Sequence, residues 1–116
     1  MPHRTTVKLF VEDTSPPLWI VGAIVCLYDR DRLTRDDHLG TDVTNRYGEA
    51  TFEFVDEQFV DLDDRIGGRP PELYVEVIDT RGERVLTTRA RAKRNAVPGL
   101  IRVPVAVDLA RRHGLV

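Results

Sequence analysis

Between Ile24 and Phe54 the sequence runs IVCLYDRDRLTRDDHLGTDVTNRYGEATFEF, and this stretch constrains the fold more than any other. It divides into a strand at 24–28, an acidic loop at 29–38, a second strand at 39–44, a turn at 45–48 and a third strand at 49–55. In the first strand Ala23, Val25 and Leu27 share one face while Ile24, Cys26 and Tyr28 share the other, so it is apolar on both sides and belongs in a central or covered position. In the third, Phe52 and Phe54 alternate with Thr51 and Glu53, the period of two that marks a half-buried strand. Gly48 supplies the left-handed residue of the turn between them.

The flanks extend the same pattern. Val7, Leu9 and Val11 form one face of a strand at 5–11, and the EDTSPP segment that follows is turn chemistry. Residues 73–78 place Leu73, Val75 and Val77 inward with Tyr74 and Ile78 outward. A hairpin turn at 80–83 leads into a strand at 84–90, and 92–99 reads as a loop holding Lys93 and Arg94. Ile101, Val103, Val105 and Val107 alternate through the last strand, where Pro104 indicates an edge or a bulge. Two places suit a helical turn, 56–66 with Asp56 as N-cap, and 108–113 capped by Asp108 and stopped by Gly114, with no more than one short helix expected overall. The expected fold is all-β, a seven-stranded antiparallel β-sandwich with at most a short helix, in a single domain spanning 1–116.

Composition narrows the function classes. Apolar residues make up 41% of the 116, enough for a core, and a net charge of −2 on 31% charged residues leaves no nucleic-acid footprint or polybasic membrane patch. Arginines account for 15 of the 17 basic residues, a bias of GC-rich genomes that points to a bacterial source. The single Cys26 lies in an apolar run and reads as a buried structural thiol. The N-terminal MPHRTTVKLF lacks the apolar core of a signal peptide, and the run at 19–27 is too short to span a bilayer. A soluble, cytoplasmic protein with no nucleic-acid or membrane partner is expected.

The strand ending in Tyr28-Asp29, the acidic loop, Gly40-Thr41-Asp42 and the turn at 45–48 into an aromatic strand resemble transthyretin-like (prealbumin-like) domains, including the bacterial carboxypeptidase-regulatory-like modules. Phe52 to Phe59, the segment Pro71-Glu72-Leu73-Tyr74-Val75-Glu76-Val77 and residues 79–82 continue the resemblance, which covers 7–107. It implies a scaffold or interaction module, since such domains serve unrelated proteins. The hydroxyisourate hydrolases of that fold use histidines, an arginine and a C-terminal Tyr-Arg-Gly-Ser. This chain instead reads Arg111-Arg112-His113-Gly114-Leu115-Val116, and His3, His38 and His113 lack the matching contexts, so that activity ranks last and no enzyme is expected.

The sharpest chemical pattern is Asp29-x-Asp31 followed by Asp36-Asp37 and Leu39-Gly40. It is similar to one calcium loop of the phospholipid-binding domains of protein-kinase-C and synaptotagmin type, which gather carboxylate oxygens around a hard cation. Asp29, Asp31, Asp36 and Asp37 are therefore the candidate Ca²⁺ ligands, although the preceding loop, with only Glu12 and Asp13, lacks the second acidic set. If successive strands are antiparallel, loops 29–38, 56–72 and 92–99 share one end of the sandwich. Arginines at that end can then neutralise the acids, and Arg32, Arg35 or Arg94 is expected within ion-pair distance of one of them. A solvated, salt-bridged loop is the favoured reading and calcium the second.

Zinc, phosphate-loop and nucleophile motifs are absent from the sequence, and the three tyrosines show no spacing that supports iron. The remaining candidate is an outward apolar face formed by Phe10, Ile24, Cys26, Tyr28, Tyr74 and Ile78, expected to bind a protein partner or a second copy of the chain as a homodimer.

Overall fold

The computed structural model describes residues 3–31, 35–55, 71–94 and 99–116. Its strands are β1 (His3–Val11), β2 (Leu18–Trp19), β3 (Ile24–Asp29), β4 (Asp37–Val43), β5 (Glu49–Phe54), β6 (Glu72–Ile78), β7 (Arg84–Thr87), β8 (Lys93–Arg94) and β9 (Gly99–Val105). A 3-10 turn (Arg89–Arg91) links β7 to β8, and one helix, α1 (Val107–Arg112), follows β9.

The strands form two sheets. In the first, β1 is central: β5 pairs with its N-terminal part and β2 with its last two residues, while β9 runs along it on a separate pairing. In the second, the order is β4-β3-β6, with β7 and β8 pairing different parts of β6. The all-β expectation therefore holds, with two refinements. Nine strand segments appear among the described residues, two of them only two residues long, and one is β8, which occupies what reads in the sequence as a loop. The sandwich is also not antiparallel throughout, because β9 lies parallel to β1, Thr5 opposite Gly99 and Val11 opposite Val105. The physical reason is that β9 pairs not with its sequence neighbour but with the first strand, reached from the second sheet by a crossover, and only crossovers allow parallel neighbours.

The core lies between the sheets, where period-two patterning predicts it. Val7, Leu9, Val25, Leu27, Phe52, Phe54, Val75, Val77, Val103 and Val105 are all 3% exposed or less. Ile20 and Ala23 on the approach to β3, together with Ala50, fill the same cluster. Among the described residues β4 pairs with β3 alone, matching the expected polar edge strand, and β9 likewise pairs only with β1, which suits Pro104.

Turn chemistry sets the ends. Asn45 Oδ1 accepts the amides of Tyr47 and Glu49 at 2.9 and 3.1 Å, and Gly48 adopts a φ of 72° that an L side chain avoids. Helix α1 is capped two residues earlier than the sequence suggests: extended Ala106, the last residue before the helix, is its N-cap, and Asp108 sits in the first turn, where its charge still favours the helix dipole. Ala110 and Leu115 anchor this segment in the core. The segment at 56–66 expected to be helical lies outside the described residues. No described helix is long and apolar enough to cross a membrane.

Candidate functional site

The outer face of the second sheet is organised in rows by strand register. Ile24 lies opposite Val43 on β4 and Ile78 on β6, Cys26 opposite Thr41 and Glu76, and Tyr28 opposite His38 and Tyr74. One end of the face is thus aliphatic and the other aromatic. The Tyr28 and Tyr74 rings stack with centroids 5.2 Å apart, and His38 tilts against Tyr28 at 5.3 Å. Thr41 joins the rows, its hydroxyl 2.8 Å from His38 Nε2 and 3.5 Å from Cys26 Sγ.

At the aromatic end Asp36 collects three donors. The Tyr74 hydroxyl donates to Asp36 Oδ2, Arg89 grips both oxygens through Nε at 2.7 Å and Nη2 at 3.2 Å, and the Asp31 amide donates to Oδ1 at 2.9 Å. Such a forked guanidinium–carboxylate contact is geometrically demanding. It forms because the chain leaves β7 at Thr87 and turns through the 3-10 segment, with the Thr87 hydroxyl accepting the Arg89 amide at 3.3 Å. Arg30 braces the turn by donating to the Arg89 carbonyl at 3.0 Å, while its Nε lies 3.4 Å from Glu72. Asp29, fully buried, accepts the Glu72 amide at 2.8 Å.

These contacts set the ionisation states. The hydrogen bond from Arg89 holds the Asp36 carboxyl down at about 2, with partial burial opposing and Tyr74 and the Asp31 amide assisting. Burial, then the hydrogen bond to Asp36, raises the Tyr74 phenol well above its usual value. Burial also raises Tyr28, with the negative ends of Cys26 and Glu76 contributing. Both phenols therefore stay protonated near neutral pH, and Asp36 stays charged.

The four aspartates picked from the sequence do meet at one end of the sheet, and Asp29 and Asp37 stand opposite each other in register. Asp36, however, has both oxygens engaged by Arg89 with Tyr74 and the Asp31 amide, and Asp29 has one oxygen on Glu72. Arg89, which is not among the three expected arginines, is the one that grips Asp36; Arg32 and the Arg94 side chain lie outside the described residues. Its only signal in the sequence is Thr87-Thr88, a pair suited to a side-chain turn that ends the strand early.

The expected apolar face also needs one correction. Ile24, Cys26, Tyr28, Tyr74 and Ile78 do share a face, but Phe10 lies on β1 in the other sheet, opposite Trp19 and beneath the Arg102 guanidinium at 5.0 Å. Period-two parity identifies outward residues without saying which sheet they leave. Two members are mostly covered by neighbours, Tyr74 at 4% exposure and Cys26 at 8%, while Val43 completes the aliphatic row at 52%.

A second cluster, missed by sequence reasoning, sits at the opposite end of β6. Asp79 Oδ1 accepts the amides of Arg81 and Glu83, each at 2.9 Å, closing the β6–β7 hairpin. Asp79 Oδ2 lies 2.8 Å from His113 Nδ1, and Arg81 Nη2 approaches the same oxygen at 3.5 Å. The hydrogen bond with His113, more than the two amides and Arg81, holds the Asp79 carboxyl at about 2 against its burial. Asp79, Glu83 and His113 have the donor atoms of a metal site, all within 4.8 Å of one another. The Arg81 guanidinium, 3.5 Å from Asp79 and 3.7 Å from Glu83, already neutralises that charge, and the cluster ties α1 to the hairpin.

No family model and no curated protein matches the chain. Among solved structures it is similar to a 9R-lipoxygenase from Cyanothece PCC8801, with a TM-score of 0.56 and 19% identity over 91% of this chain and 16% of the lipoxygenase. A dioxygenase, Tetur07g02040, aligns at a TM-score of 0.38 and 21% identity over 69% of this chain and 47% of its own. The first likeness concerns the fold alone, and the chain spans only that small share of the lipoxygenase's length.

Proposed function

We propose that this domain is a non-enzymatic interaction module of transthyretin-like type that docks a protein, a second copy of itself included, through the outer face of β3, β4 and β6. One observation carries the reading: the aliphatic row Val43, Ile24 and Ile78 lies beside an aromatic pair whose geometry is already set by Asp36 and Arg89. Aromatic and arginine side chains held in place before binding lose little freedom on contact, and they are the residue types that dominate interface energetics. The same network argues against catalysis at this face, since the phenols are held protonated and the Asp36 carboxylate is spent on its neighbours. It argues equally against a calcium cage, which would have to break the contacts of Asp36.

Sedimentation equilibrium of the wild type beside Ile24→Glu tests the self-association form. A dimer at high micromolar concentration that the substitution dissociates supports the reading. A strictly monomeric wild type, with stability and solubility untouched by Ile24→Glu, overturns it.

A further inference from the structure

A cleft of about 140 Å³ opens at the side of the sandwich between β9 and the 3-10 turn, on neither face discussed above. Its floor is core: Leu73, Ile101 and Val103 are each no more than 4% exposed. Its rim is cationic, with Arg91 from the turn and Arg102 from β9. Among the described residues neither arginine forms an ion pair, and no acidic side chain lines the cleft. The Arg102 guanidinium itself lies 5.0 Å over the ring of Phe10 on the neighbouring β1, which leaves Arg91 as the cation free to meet a ligand. Thr88, also lining, has its oxygen occupied by the Val75 amide, so its hydroxyl hydrogen is left to donate.

We propose that this cleft binds a small carboxylate bearing a short apolar tail. The Arg91 guanidinium and the Thr88 hydroxyl match an anionic head, and guanidinium is the cation best shaped for a carboxylate. The buried aliphatic floor fits the tail, which neither a bare inorganic anion nor a polar metabolite would use. Size sets the tail length: at ~30 Å³ per water the space equals about five waters, so it accommodates a short chain and not a long-chain fatty acid. An added β-strand is a poor fit, because Pro104 at the rim has no N–H to offer.

The free acid and the carboxyl end of a polypeptide share this chemistry, so the titration uses both. Amide spectra of the full chain are recorded with hexanoate, N-acetyl-leucine, hexanol and inorganic phosphate. Hexanoate or N-acetyl-leucine should shift the amides of Thr88, Arg91, Ile101 and Val103, and the tighter of the two identifies the source. Hexanol and phosphate, each lacking half of the chemistry, should bind at least about tenfold more weakly. Arg91→Ala, at an exposed position, should weaken the carboxylate by about tenfold while the rest of the spectrum is unchanged. The proposal fails if hexanol matches hexanoate, if phosphate alone matches it, if the shifts fall elsewhere, or if Arg91→Ala binds as the wild type does.

Discussion

Arg89 grips Asp36 through two nitrogens, at 2.7 and 3.2 Å, across 53 positions of sequence, and so fixes the 3-10 turn against the loop that precedes β4. Because this hydrogen bond is the leading reason that the Asp36 carboxyl lies at about 2, removing Arg89 should let it rise toward the usual range near ~4. Tyr74→Phe, which removes a lesser contribution, should raise it by less. A depressed carboxylate contributes stability that is complete above the unfolded value and is lost as pH falls through the folded one. Carbon-detected titration of the Asp36 carboxyl in wild type, Arg89→Ala and Tyr74→Phe measures all three midpoints. An unchanged midpoint in Arg89→Ala would remove Arg89 as the cause.

Phe52 on β5 and Gly40 on β4 meet across the two sheets. A Cβ built at Gly40 would stand 3.1 Å from Phe52 Cδ1, tighter than ordinary contact. Phe52→Ala should cost about 3–5 kcal/mol by leaving a cavity. Gly40→Ala should cost about 1–3 kcal/mol through overpacking, and much less once Phe52 is Ala. A double-mutant cycle from denaturant unfolding reads the coupling, expected at no less than about 0.5 kcal/mol. Additive effects would mean that the ring gives way freely.

Much of the fold is readable from residue spacing. Val7-x-Leu9-x-Val11, Phe52-x-Phe54 and Val75-x-Val77 each show one buried face, and burial of one face is what period-two spacing reports. The same logic puts loops 29–38 and 56–72 at one end, and the Arg30 amide does bond the Glu72 carbonyl there at 2.8 Å. Spacing is silent on partners chosen across the whole chain, which is why the parallel β1–β9 pairing and the placement of Phe10 on the other sheet were not legible. It is equally silent on side chains delivered by irregular backbone. Arg89 reaches Asp36 only because β7 stops at Thr87, and His113 reaches Asp79 only because α1 packs back onto the hairpin.

Gly48 and Gly82 both occupy positive φ, at 72° and 87°, in different surroundings. A Cβ at Gly82 meets nothing within 4 Å, so Gly82→Ala should cost only the left-handed penalty of about 1–2 kcal/mol. At Gly48 a Cβ would lie 2.3 Å from the Leu9 carbonyl oxygen, in a turn held by the 2.7 Å bond from the Leu9 amide to the Gly48 carbonyl. Gly48→Ala must therefore displace backbone as well, and should cost clearly more than Gly82→Ala. Urea unfolding of the two variants side by side checks the ranking, and equal losses would place the cost in φ alone.

The bond between Asp79 and His113 joins two functions in one carboxylate, since Oδ1 closes the hairpin and Oδ2 holds the end of α1. Separating them is a matter of which atoms remain. His113→Ala removes the tie to the helix and leaves the turn intact. Asp79→Ala removes both and should be the more destabilising. Hydrogen exchange localises the difference: in His113→Ala the amides of Ala110, His113 and Leu115, which bond within this last segment, should exchange faster while those of the β6–β7 turn, Gly82 and Glu83, keep their protection. In Asp79→Ala both groups should exchange faster. The pH dependence follows from the lowered Asp79 carboxyl, for which the His113 bond is the leading cause. Its stabilisation is present above the unfolded value of ~4 and disappears as pH falls through about 2, so the thermal midpoints of wild type and His113→Ala should converge across that interval. Midpoints that stay apart by the same margin below pH 2 would show that His113 stabilises the helix by packing, with the bond to Asp79 contributing nothing.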